Sequence, residues 1–217
     1  MLEVKSPWNN EIVGSVETSN NQHLEDILME VTNVSKLKGN DFPPKERIQV
    51  LKSFCEKINQ NIESLAKLAT SEGGKPITDS IVEIKRGAEG VDSCIEVLKS
   101  DAGSVIPMNL NEASSNRLAF TQKEPIGVVL AVSAFNHPFN LIIHQIIPAI
   151  ATGCTVIVKP AEDTPLSCKK IVEMLYESGL PRNRCHFVMP EDLELATKLV
   201  SDPRIDFFSF IGSSKVG

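Results

Sequence analysis

Residues 123–162 read KEPIGVVLAVSAFNHPFNLIIHQIIPAIATGCTVIVKPAE, and this stretch decides the fold. Two apolar, β-branched runs, Gly127–Val132 and Thr155–Val158, flank a segment of helical length. The first run ends in Phe135-Asn136-His137-Pro138 and the second in Lys159-Pro160-Ala161-Glu162. Polar residues just past the carboxyl ends of parallel strands are where open α/β sheets bind ligands.

Working outward, the strand–helix alternation continues toward the C-terminus. Helices are expected over 138–151, 165–177 and 193–200, with strands over 186–189 and 205–210 and a glycine turn over 212–217. Four strands joined by helices imply a parallel sheet. The last strand, IDFFSF, is apolar and is expected inside that sheet. Upstream, the first hundred residues read as helices. Leu24, Ile27, Leu28, Val31 and Val34 share one face. Ile48, Leu51, Cys55, Ile58, Ile62, Leu65 and Ala69 form one long stripe between Pro43-Pro44 and Gly73-Gly74. A third helix over 77–98 is expected to be interrupted at Gly87 and Gly90. Residues 101–107 read as a break, and 116–122 as a strand of a hairpin outside the core. The fold class is therefore α/β. A helical part (1–107) and an extended segment (108–124) precede a Rossmann-like open parallel sheet (125–217).

Composition sets the outer bounds. The chain has 217 residues, enough for a sizeable core in one or two domains. A net charge of −6 without a basic stripe argues against nucleic acid. Five cysteines, an odd number with no CxxC pair, suit neither a disulfide framework nor a zinc site. They read as reduced core thiols of a cytoplasmic protein. The N-terminus lacks the apolar core of a signal peptide, and no stretch is long and apolar enough for a membrane span.

Several of these pieces, taken in order, resemble the aldehyde dehydrogenase superfamily: Glu124-Pro125-Ile126-Gly127-Val128-Val129, Phe135-Asn136-His137-Pro138, Lys159-Pro160-Ala161-Glu162 with Thr164-Pro165, and Phe210-Ile211-Gly212-Ser213 with Gly217. Glu72-Gly73-Gly74-Lys75-Pro76 fits a weaker signature of the same family. The resemblance implies NAD-dependent oxidation of an aldehyde through a cysteine thiohemiacetal, with NADP as the alternative cofactor. By that resemblance Asn136 donates its amide to the oxyanion, and the bland alternative is a helix N-cap. Lys159 and Glu162 contact the adenosine ribose, and the Glu162 carboxylate disfavours a 2′-phosphate. The alternative for that pair is a solvated loop. Ser213 and the backbone of Gly212–Gly217 contact the pyrophosphate.

That glycine turn also matches the front of a Walker-type phosphate loop. The family's nucleophilic cysteine and general-base glutamate match nothing here. Cys154 and Cys168 read as core thiols, so a chain ending at Gly217 is expected to be a fragment that is inactive alone. The rival expectation is a nucleotide-binding or interaction module without catalysis. The 117–122 strand resembles the family's oligomerisation hairpin and implies a homo-oligomer.

Overall fold

The structure is a computed structural model that describes residues 1–36 and 42–217. At its centre lies a parallel sheet built from β5 (Val128–Val132), β6 (Thr155–Lys159), β7 (Cys185–Phe187) and β8 (Phe207–Phe210), in the order β7-β6-β5-β8. The two central strands read as unbroken apolar runs because both faces are covered. Val128, Leu130 and Ile157 point to one face, where they pack with Leu24, Ile27, Leu28 and Val31 of α1 (Asn21–Ser35) and Leu199 of α7 (Leu193–Val200). Val129, Ala131, Val156 and Val158 point to the other, larger core. That core holds α2 (Pro44–Gln60), α3 (Ile62–Gly73), α4 (Ile77–Ser100), α5 (Asn140–Thr152) and α6 (Pro165–Glu177).

Helix α5 anchors the larger core. Ile142, Ile143, Ile146, Ile147 and Ile150 are all essentially inaccessible. A helix this apolar around its circumference must be buried. Each such side chain contributes about 1.5–3 kcal/mol relative to exposure.

The expected strand–helix alternation after residue 125 is borne out, with boundaries moved by a few residues. Four expectations are corrected. The chain does not begin with helices, because β1 (Leu2–Lys5) and β2 (Ile12–Val16) pair antiparallel and bury Val4 and Val16. The stripe over 44–73 is two helices, because the Asn61 side chain donates to the Lys57 carbonyl and the backbone leaves helical geometry there. Such local side-chain bonds compete with the helical ladder. Helix α4 runs unbroken through Gly87 and Gly90. At Gly87 the small residue serves packing, since a Cβ would come within 2.8 Å of the Phe139 ring. Finally, the supposed break at 101–107 contains β3 (Ser104–Ile106), which pairs antiparallel with β4 (Ala119–Thr121) to complete the expected hairpin.

Candidate functional site

The chain moves outward from β5 through β6 to β7, then returns to place β8 on the other side of β5. The order therefore reverses between β5 and β8, and such switch points open a crevice at the carboxyl ends of the strands. Among the described residues the last strand stands at one end of the strand order. It pairs with β5 alone among the described residues, and Phe207 and Phe208 are exposed. Buried Gln145 braces the crevice, donating to the carbonyls of Val132 and Ser209 at 3.0 and 2.9 Å.

The site residues read from the sequence gather around this crevice. Asn136 lies in the exposed bend after β5. It is not the N-cap of α5, which is Phe139, and that cap carries no side-chain hydrogen bond. Lys159 ends β6, half-buried, with its ammonium donating to the Pro160 carbonyl at 3.3 Å. Burial lowers its pKa, and the Glu162 carboxylate pulls the other way. Glu162 is exposed in the turn that follows. After β8, the amides of Val216 and Gly217 donate to the Ser213 carbonyl, which closes one helix-like turn. Gly212, Ser213 and Gly217 are all exposed. A Cβ on Gly212 would overlap the Phe210 ring, so the backbone there stays bare.

What holds the loops in place was not read from the sequence. Two buried glutamates from the helical part cap the two helices that follow the central strands. Glu83 of α4 accepts from the amides of Phe139 and Asn140 at 2.8 and 2.9 Å and pairs with Lys75. Glu72 of α3 accepts from the amides of Leu166 and Ser167 at 2.7 and 2.8 Å. A carboxylate at a helix N-terminus meets unpaired amides and the positive end of the dipole. Glu72 stands in the Glu72-Gly73-Gly74-Lys75 motif, which was read only as a family signature and not as a cap. Glu83 carried no local signal.

Burial pushes the Glu72 carboxyl up to about 7 against the pull of its hydrogen bonds to Leu166 and Ser167. An acid raised on folding binds its proton more tightly in the native state, so its contribution to stability falls as pH rises from about 4.5 to 7. Relative to Glu72→Gln, the native chain should lose about 1–3 kcal/mol between pH 4.5 and pH 8. Urea unfolding of both proteins at the two pH values measures this. A difference that does not change with pH would rule it out.

The cysteines are placed as core thiols. Cys55, Cys154, Cys168 and Cys185 are buried and Cys94 is half-buried, all unbridged. Burial pushes Cys55 and Cys185 up to about 12 and raises Cys94 and Cys168 as well, which disfavours the nucleophilic thiolate. Among the described residues no helix is long and apolar enough to cross a membrane.

Comparison with known proteins places this geometry. The sequence model of the Aldehyde dehydrogenase family matches residues 1–217. The chain is 35% identical over 193 residues to 3-sulfolactaldehyde dehydrogenase of Priestia aryabhattai, which covers 89% of this chain and 40% of that protein. It is 32% identical over 220 residues to the mitochondrial succinate-semialdehyde dehydrogenase of Arabidopsis thaliana, covering 100% of this chain and 40% of that one. Among solved structures, it superimposes on aldehyde dehydrogenase 21 of Physcomitrella patens in complex with the reaction product succinate, with a TM-score of 0.93 at 28% identity. It superimposes equally, with a TM-score of 0.93 at 28% identity, on the NADP-dependent glyceraldehyde-3-phosphate dehydrogenase of Bacillus halodurans C-125 complexed with NADP. In both cases all of this chain and 45% of the other are covered. The chain thus spans about 40% of the length of the curated relatives it matches. The phosphate-loop reading of Gly212–Gly217 finds no support in these matches. The α/β chain with its parallel sheet belongs to the aldehyde dehydrogenase family.

Proposed function

We propose that the protein containing this chain oxidises an aldehyde to a carboxylic acid with NAD or NADP, and that these residues supply the cofactor platform and an oxyanion donor. The observation that carries this reading is the convergence of Asn136, Lys159, Glu162 and the Gly212–Gly217 turn at one sheet edge, at the reversal of strand order. A dinucleotide supplies a hydride acceptor when bound. The Lys159 ammonium donates to a ribose hydroxyl, and the Glu162 carboxylate accepts from the ribose. The bare backbone at Gly212 and the Ser213 hydroxyl hold phosphate oxygens. Asn136 presents a neutral amide donor to the oxygen that gains charge as the aldehyde carbon is attacked. None of the four thiols that burial keeps protonated is assigned as the nucleophile.

A thermal melt tests the platform. Ligand at about a hundred times its Kd should stabilise the chain by about 2.7 kcal/mol, or roughly 5–10 °C at this size. NAD should give the larger shift, because Glu162 repels a 2′-phosphate. Glu162→Ala and Ser213→Ala should each reduce the NAD shift. No shift with either dinucleotide at millimolar concentration would count against the platform.

The β3–β4 hairpin supports association with a second copy. Val105 and Phe120, directly paired across it, and Leu118 beside them are exposed apolar residues. Exposed apolar groups of this kind mark contact surfaces. Phe120→Asp should shift light-scattering mass toward the monomer, and a native chain that is monomeric at high concentration would end this reading.

A further inference from the structure

We propose that His137 is a positioning residue for Asn136: a buried ion pair of the helical part holds its ring, and the held ring fixes the bend that presents the Asn136 amide. This rests on the reading of Asn136 as the oxyanion donor. The Asn136 side chain makes no hydrogen bond among the described residues. Its direction is therefore set by the residues on either side. The Phe135 carbonyl accepts from the Thr164 hydroxyl at 3.4 Å. The His137 carbonyl accepts from the Leu141 amide at 3.1 Å. The tie that reaches furthest along the chain is made by the His137 ring, whose Nδ1 lies 3.2 Å from the Lys75 ammonium, 62 positions away.

Lys75 is itself fixed. It pairs with Glu83, which is buried and also accepts from the amides of Phe139 and Asn140. An ammonium only donates, so Nδ1 accepts and the ring proton sits on Nε2. Oε2 of Glu83 lies 3.8 Å from the same Nδ1, and Arg86 and Asp79 are the other charges that face the ring. Burial and the Lys75 and Arg86 charges hold the ring below its ordinary value of 6.5, against the pull of Asp79. Near neutrality it is uncharged and able to accept. Loop side chains ordinarily stand in solvent. This one is tied to the carboxylate that also caps α5, so the bend and the helix share one anchor.

An oxyanion donor works only where its amide already points at the developing charge. A misplacement of about 1 Å can cost about 100-fold. Asn136 and His137 sit on consecutive Cα atoms about 3.8 Å apart, so slack at one passes to the other.

Two measurements test the positioning. In the first, the His137 ring is followed by NMR in the chain, with His137→Asn identifying its signals. The ring should carry its proton on Nε2 and titrate below 6.5. In Lys75→Met it should titrate higher, because the facing ammonium is gone. A ring that titrates alike in both proteins overturns the proposal.

In the second, the kinetics of the protein containing this chain are compared across variants. His137→Leu should lower kcat about tenfold or more with little change in KM. His137→Asn, whose Oδ1 accepts from the same branch point as Nδ1, should recover most of that loss. In the Asn136→Ala background, His137→Leu should cost less than about twofold, because no donor is left to place. Equal fold losses in the two backgrounds, or no loss in His137→Leu, overturn the positioning and leave the oxyanion reading standing. A native kcat in Asn136→Ala overturns the oxyanion reading and the proposal with it.

Discussion

Glu83→Ala should destabilise the chain by about 3–5 kcal/mol, the cost of removing one partner of a buried ion pair. Glu83 is 2% exposed and serves three groups at once. It pairs with Lys75, and it accepts from the first amides of α5. Burial already lowers the pKa of Lys75, so losing the carboxylate leaves a poorly solvated ammonium with only the Asp79 charge to offset it. The same truncation uncaps the helix that carries the buried isoleucines of the main core. Glu83→Gln keeps an acceptor for one amide but loses the charge, so its cost should be smaller. Equilibrium urea unfolding of the three proteins reads both values. A loss below about 1 kcal/mol in Glu83→Ala would show that this junction does not hold α5 in place.

On the proposed function, Asn136→Ala should lower kcat of the protein containing this chain by about 10²–10³-fold, the usual effect of deleting one oxyanion donor. KM should change little, because the bond strengthens only as charge develops on the oxygen. Stability should change by no more than about 0.5 kcal/mol, as for other surface positions. The side chain is exposed and does not cap α5, so the fold does not depend on it. Asn136→Asp should be worse than alanine, because it sets a negative charge against the oxyanion. Steady-state kinetics with a parallel melt separate the two roles. A kcat within threefold of native in Asn136→Ala would remove the residue from the chemistry.

These two residues also show what was legible beforehand. Asn136 stood in a local motif at the end of an apolar strand, so its position just past β5, in the candidate site, could be read from its neighbours in sequence. Lys159, Glu162 and the Gly212–Gly217 turn were legible for the same reason. Glu83 looked like any polar residue on an amphipathic helix, and its partners at 139 and 140 lie 56 and 57 positions away. Glu72 reaches 94 and 95 positions to the start of α6.

The sequence by itself determined the element types across the sheet region. Period-two and helical patterns are set by neighbours a few residues apart, and both faces of β5 and β6 announced their burial through continuous apolar runs. It also carried the polar strand ends that became the candidate site. Tertiary structure alone decided that β8 returns beside β5, which creates the crevice. It likewise decided that Glu72 and Glu83 are buried rather than solvated, and that the Phe139 ring packs against the bare backbone of Gly87. Strand order, buried charge and close packing are set by contacts between segments distant in sequence. No short window of residues contains the energy terms that choose among their arrangements.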